Sequence, residues 1–204
     1  MNEKALEGLV IRTSREFGST TDDHRARLRL ALKNFITEET AKVPGHHGAD
    51  FQHAVEALAN LKIRPRVPGW AISVSHCATL GGFLATKSAD DVGIDFENQH
   101  RVSEPLAMRV ASFPDEKNVL ETLRDAGASW ALFWVAKEAA IKAFGNRFPH
   151  EAPHFGEVEI SAIDLSAGTF TARRDGLLAR GRFLDSGIEG DSDIVGAIAR
   201  IFHS

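Results

Sequence analysis

The sequence has a single cysteine, Cys77, and no long apolar run. One cysteine excludes an internal disulfide framework, and the start of the chain lacks a signal-peptide pattern. Together these features predict a reducing, cytoplasmic setting. Because the apolar runs are too short to cross a bilayer, no membrane span is expected.

A basic field is also missing, because the formal net charge is -4 and the pI is about 6.1. No nucleic-acid partner is therefore predicted, and an anion site must come from local clustering of charge. The sequence contains no Walker-type loop, no G-x-G-x-x-G fingerprint and no G-x-S-x-G elbow. If phosphate binds, its ligands must be side chains and a metal, since no glycine-rich loop can cradle it.

What the sequence does have is ordinary globular composition, with 204 residues and 43% hydrophobic residues. That length suits one large domain or two small ones. In the first half of the chain, periodicity predicts a strand within 5–12, helices over 22–41 and 50–61, and strands over 71–76, 81–86 and 92–97. In the second half it predicts two helical segments within 103–125 and a helix from about Ser129 to Phe144 that is capped by Gly145. Four strands follow, over 157–164, 168–174, 177–184 and 193–202. Helices followed by antiparallel strands occur twice, which indicates a duplicated α+β unit.

The segment Gly93-Ile94-Asp95-Phe96-Glu97 is typical of a strand, and alternation places Asp95 and Glu97 on one face. Ile94 and Phe96 are expected on the opposite face, against a core. Neighbouring carboxylates repel each other unless they are solvated or share a divalent cation. Hard oxygen ligands suit Mg²⁺, which keeps several waters and is often shared with a substrate phosphate. These residues alone leave both an exposed strand end and a metal site open.

The predicted helix over 129–144 carries Lys137, Glu138 and Lys142. Glu138 and Lys142 are four residues apart and share a face, so a weak surface ion pair is one interpretation. The rest of this helix is almost entirely apolar, which is typical of a buried helix whose charges need partners. Since Lys137 is about 100° from Glu138, the three charges are expected to form one polar strip. Such a strip favours a site with two cations for phosphate and one carboxylate for a metal or for base catalysis.

Three motifs stand in an order and spacing that resemble one family. They are Ser73-Val74-Ser75-His76, Val92-Gly93-Ile94-Asp95-Phe96-Glu97 and Trp134-x-x-Lys137-Glu138-x-x-x-Lys142. Together they resemble the 4′-phosphopantetheinyl transferases, and most closely the pseudodimeric type that serves peptide and polyketide synthases. The resemblance covers about residues 70–145. It implies an α+β fold of two pseudo-twofold-related halves, each with helices packed on a small antiparallel sheet.

The resemblance also implies a division into halves 1–98 and 99–204, a site at their junction, and a monomer. The implied reaction transfers the phosphopantetheinyl group of coenzyme A to a serine of an apo acyl or peptidyl carrier protein, with release of 3′,5′-ADP. Asp95, Glu97 and Glu138 would hold Mg²⁺, or Mn²⁺ in its place. Glu138 would also be the base for the serine hydroxyl, directly or through water, and Lys142 would neutralise the phosphates and assist the leaving group.

Further contacts to coenzyme A are implied at the phosphates and the adenine. Lys137 would contact a phosphate, as would His76 with Ser75 beside it, although a purely structural role for this histidine is an alternative. The family usually has a Gly-Lys-Pro element before the first core strand, where this chain has Leu61-Lys62-Ile63-Arg64-Pro65. Lys62 is the candidate that replaces it, with a contribution from Arg64 or Arg66, and Arg15 and Arg25 are the candidates for the ribose 3′-phosphate.

Two other functions fit the same residues. A metal-dependent phosphoesterase would use the same carboxylates with water as the nucleophile. A non-catalytic relative would bind a carrier protein while its altered nucleotide pocket no longer accepts coenzyme A.

Overall fold

The computed structural model describes residues 2–6, 9–17, 21–42, 48–61, 65–87, 91–147, 153–184 and 192–202, the first of these ranges by its backbone. The chain divides into two compact units, Met1–Ser88 and Ala89–Ser204. Each unit has helices and one antiparallel sheet among its described residues, which confirms the predicted α+β class. No helix in those ranges has the length and hydropathy to cross a membrane.

The first unit has a four-stranded sheet in the order β1-β2-β4-β3. Its elements are β1 (Asn2–Leu6), β2 (Leu9–Ser14), α1 (Asp22–Ala41), α2 (Ala49–Ala57), β3 (Ala71–His76) and β4 (Gly81–Thr86). Strand is confirmed as the structure type within 5–12, but this stretch contributes to both strands of the β1–β2 hairpin rather than to one. The helix predicted over 22–41 is confirmed, and α2 ends earlier than predicted.

The second unit has a five-stranded sheet in the order β5-β9-β8-β7-β6. Its elements are β5 (Asp91–Asn98), α3 (Glu104–Val110), α4 (Pro114–Asp125), α5 (Ala131–Arg147), β6 (Glu159–Asp164), β7 (Thr169–Arg174), β8 (Leu177–Leu184) and β9 (Ile194–Ile201). The predicted break between two helical segments is confirmed, because Pro114 begins α4, where its missing N–H leaves no bond unmade.

Helix α5 runs past the glycine that was predicted to end it. Gly145 is buried inside the helix, which continues to Arg147. Asn146 Nδ2 donates to the Val92 carbonyl of β5 at 2.7 Å. This tertiary contact and the burial of the last turn outweigh the low helix propensity of glycine, so the predicted cap is wrong.

Small residues let α5 approach the sheet closely. A Cβ at Gly93 of β5 would lie only 1.9 Å from the Ala139 carbonyl oxygen, so this contact requires glycine. Ala139, Ala140 and Ala143 are all buried in the same core. Close approach brings the polar side chains of α5 and β5 within reach of one another.

Strand β5 pairs over its whole length with β9, from Asp91 opposite Ile201 to Asn98 opposite Ile194. This pairing joins β5 to the sheet of the second unit, whereas a division after residue 98 assigns it to the first. The pseudo-twofold relation between two halves and a site at their junction stay predictions.

Candidate active site

The carboxylates of β5 lie on the face of the sheet that α5 covers. Asp95 is 7% exposed and Glu97 is half-buried. Ile94 and Phe96 are buried on the other face, as the alternation predicted. Because Gly93 shares the face of Asp95 and permits the close approach of α5, the strand brings its carboxylates towards the helix.

Lys142 of α5 connects the helix to this strand. Its Nζ donates to Asp95 Oδ1 at 2.7 Å and to the Ile94 carbonyl at 3.0 Å. An ammonium-to-carboxylate hydrogen bond is stronger than a neutral one, and partial burial strengthens it further. The lysine therefore makes its close ion pair with β5, and the weak pair with Glu138 on the helix surface is not the arrangement found.

Glu138 of α5 lies near the same group of charges. Burial raises the pKa of the Glu138 carboxyl, and the charge of Asp95 raises it further, with a smaller increase from Glu97. The charge of Lys142 acts in the opposite direction on the pKa of this carboxyl. A carboxylate with a raised pKa is a stronger base than an ordinary glutamate, which is the property that proton abstraction from a hydroxyl requires.

We refer to Asp95, Glu97, Glu138 and Lys142 as the acidic cluster. Lys142 is paired with Asp95, the charges of Asp95, Glu97 and Lys142 all act on Glu138, and Arg101 adds a more exposed charge 3.6 Å from Glu97 Oε1. Among the described residues, no three side chains are arranged closely enough to hold a metal ion. The donor type and the excess negative charge nevertheless fit a divalent cation such as Mg²⁺, which prefers a few carboxylates and keeps waters or substrate oxygens.

Lys137 lies apart from the acidic cluster, so the expected single polar strip is wrong. Its side chain is 0% exposed and forms an ion pair with Glu116 of α4, which is equally buried. Burial lowers the pKa of Lys137, and the hydrogen bond and charge of Glu116 oppose that change. Because this ammonium is enclosed and paired inside the protein, the structure gives no support to a contact between Lys137 and a phosphate.

Glu116 is the residue that the sequence prediction missed. Its Oε2 accepts from the backbone N–H groups of Ser112 at 2.7 Å and Phe113 at 3.2 Å, and its Oε1 accepts from that of Ile160 at 3.0 Å. A glutamate at the third position of a helix is a known capping residue, and this was the one available signal. Its pairing with Lys137 depends on the tertiary fold.

In the first unit, Arg25 and His76 lie together as neighbours. Arg25 Nε donates to His76 Nε2 at 3.0 Å, and Arg25 NH1 lies 3.9 Å from Asp22 Oδ1. The imidazole therefore accepts at Nε2, as neutral histidine does. Ser75 is buried at 3% exposure, and His76 is half-buried at the end of β3. The structure thus brings together Arg25 and His76, while Lys62 and Arg64 lie outside the described residues.

A helix and a strand that present carboxylates beside a lysine make the kind of site used for metal-assisted chemistry on phosphates. A family model described as the 4′-phosphopantetheinyl transferase superfamily matches residues 91–199, just over half of the chain. The chain belongs to this superfamily, as the three motifs predicted. The match contains the motifs on β5 and α5, and the Ser73–His76 motif precedes it. No curated protein matched the chain in a sequence comparison.

Membership in this superfamily makes the protein a transferase and supports phosphopantetheine transfer as its general activity. Proteins of the superfamily generally use coenzyme A as substrate with a divalent metal, and they act on carrier proteins.

Proposed function

We propose that the protein transfers the 4′-phosphopantetheine group from coenzyme A to a serine of an apo acyl or peptidyl carrier protein. The serine oxygen forms a bond to the β-phosphorus of the coenzyme A pyrophosphate, and the bond to the leaving 3′,5′-ADP breaks. The observation that carries this proposal is the acidic cluster itself. It lies within the matched region and combines carboxylates that suit a metal with a lysine that suits phosphate.

Glu138 is proposed as the base that accepts the proton of the serine hydroxyl, directly or through water. Its raised pKa supports this role because proton transfer is easiest when the pKa of the base approaches the working pH. Lys142 is proposed to donate to the phosphate oxygens and to stabilise the departing 3′,5′-ADP. Its pairing with Asp95 and the Ile94 carbonyl supports this role by fixing the ammonium at the site.

Asp95, Glu97 and Glu138 are the residues proposed to hold Mg²⁺, or Mn²⁺ in its place. When bound, the cation supplies neutralisation of charge at the pyrophosphate. Before substrate binds, Lys142 partly offsets the charge of Asp95. The remaining negative charge of the acidic cluster attracts a divalent cation.

For coenzyme A, we propose phosphate contacts from His76 and Ser75, and from Arg25 beside them. The hydrogen bond between Arg25 and His76 supports this set, since it holds a guanidinium next to the imidazole. Lys62 and Arg64 remain candidates on the basis of the sequence. Lys137 is left out of the proposed contacts because Glu116 already holds its ammonium inside the second unit.

The test incubates the protein with coenzyme A, an apo carrier protein and Mg²⁺, and measures the mass of the carrier. Transfer adds one phosphopantetheinyl group to the carrier, and parallel samples with Mn²⁺ or EDTA test the metal requirement. Cleavage of coenzyme A without gain of mass on the carrier would identify a phosphoesterase. A stable complex with the carrier but no turnover would identify a binding protein and contradict the proposed transfer.

A further inference from the structure

Apolar contacts alone add little directional restraint to the rotation of α5 about its axis. Almost every side of the helix is buried, and the backbone of Ala139 and Ala143 lies against Gly93 of β5. Hydrophobic contacts are not directional, and a helix that is apolar all round has no polar face to orient it. Directional contacts must therefore fix how the side chains of this helix point.

One such contact lies at the centre of the helix and is fully enclosed. Lys137 and Glu116 both have side chains that are 0% exposed, and Lys137 Nζ also lies 5.6 Å from the ring centroids of Phe113 and Phe133. Glu116 is held in turn by the backbone amides of Ser112, Phe113 and Ile160. The ion pair thus ties α5 to the start of α4 and to β6 at one point.

The position of Lys137 in this ion pair determines where Glu138, the next residue of α5, lies. Glu138 follows Lys137 directly, so a fixed Lys137 fixes Glu138 at about 100° around the same helix. Lys142 lies further along the same helix, where it contacts Asp95. Any rotation of α5 that relaxes the Lys137–Glu116 pair would therefore move Glu138 and Lys142 relative to Asp95.

We propose that Lys137 and Glu116 are positioning residues that set the rotation of α5 and thereby place Glu138 and Lys142 against β5. The kinetic part of this inference rests on the proposed transfer activity. Stability alone is a poor explanation for the pair, since a buried ion pair is often replaced by well-packed apolar residues at no loss. Conformational specificity explains why charges stand in an otherwise apolar core.

The test compares Lys137→Met with Leu123→Ala under conditions where both proteins are fully folded by circular dichroism. Met keeps the length of the lysine but removes its charge and its donor. Leu123 is a buried core residue of the same helix as Glu116, so its truncation lowers stability without touching the pair. Lys137→Gln, which retains a donor towards Glu116, replaces Lys137→Met if that variant fails to fold.

We expect kcat of Lys137→Met to fall about 100-fold, as small misplacements of reacting groups can do. KM for the carrier should stay within about threefold of wild type, because no group proposed to bind the carrier is moved. Leu123→Ala should keep the wild-type kcat, and Lys137→Gln should recover part of the lost kcat. A wild-type kcat in folded Lys137→Met would overturn the positioning role.

A crystal structure of the Lys137 variant separates this inference from the proposed activity. In the wild-type structure Lys142 Nζ lies 2.7 Å from Asp95 Oδ1, and this distance should lengthen when the pair is removed. If the wild-type protein transfers nothing but the distance lengthens, the proposed function fails and the positioning role stands. An unchanged distance in the variant contradicts the positioning role whatever the activity.

Discussion

The two groups of charges on α5 differ in how well they are compensated. On one side, Lys137 meets Glu116 one to one, and backbone amides satisfy the remaining oxygen capacity of the carboxylate. In the acidic cluster on the other side, three carboxylates stand with two cations, Lys142 and the more exposed Arg101, and burial and the charge of Asp95 raise the pKa of Glu138. The enclosed one-to-one pair indicates a group that serves the fold. Among the described residues, the excess of carboxylates over cations in the acidic cluster favours a cation from outside.

The largest effect is expected when one carboxylate of the acidic cluster is neutralised. Glu138→Gln removes the proposed base and one proposed metal ligand, so transfer should fall about 1,000-fold, in the range that general base catalysis contributes. The mass of an apo carrier after incubation with coenzyme A measures the loss. Glu121→Gln on the exposed face of α4 is the matched control and should transfer at the wild-type rate. Full activity in Glu138→Gln would contradict the proposed role of Glu138 as base and metal ligand.

Neutralising the buried carboxylate of Glu116 should instead lower the stability of the fold. Glu116→Gln leaves Lys137 as a buried charge and turns an amide group towards backbone donors. Removal of one partner from a buried ion pair typically costs about 3–5 kcal/mol of unfolding free energy. Urea denaturation followed by circular dichroism measures the loss, with Glu121→Gln again as control. If Glu116→Gln lowers the free energy of unfolding by less than an ordinary surface substitution does, the Lys137–Glu116 pair does not hold α5 in place.

Lys142 lies between these two extremes, because it is paired yet partly accessible. Lys142→Ala should lower the rate of transfer about 100-fold, since one preorganised donor to developing charge contributes about that much. Carrier affinity, measured by titration calorimetry with apo carrier, should stay close to the wild-type value. If carrier affinity and folding collapse together, Lys142 is a structural residue and its proposed role at the phosphates is wrong.

Periodicity predicted the contents of the acidic cluster but not its pairing. Strand alternation placed Asp95 and Glu97 on one face, and the helical period placed Glu138 and Lys142 on one face. The sequence could not decide between Glu138 and Asp95 as the partner of Lys142, since that choice depends on how closely α5 approaches β5. The close approach rests on Gly93, whose importance appears only when the helix lies against it.

The expectation of a single polar strip on α5 failed at Lys137 for a similar physical reason. Its partner Glu116 lies on another helix, and local spacing carries no information about that contact. The helix was correctly predicted to be buried, and buried charges do need partners. Phosphate and a carboxylate from the protein both satisfy that need, so the pattern on α5 alone could not distinguish a binding lysine from a structural one.

The smallest effect we predict is a dependence of thermal stability on pH. Because the pKa of Glu138 is raised in the folded protein, its ionised form is disfavoured relative to the unfolded chain, whose glutamate titrates near 4.5. That penalty is present above the folded pKa and disappears as pH falls through it towards 4.5. In EDTA at neutral pH, Glu138→Gln should therefore have a slightly higher Tm than wild type, and the gain should vanish in acid. A lower Tm for Glu138→Gln at neutral pH would mean that the Glu138 charge is already compensated within the protein, which would remove the difference between the two sides of α5.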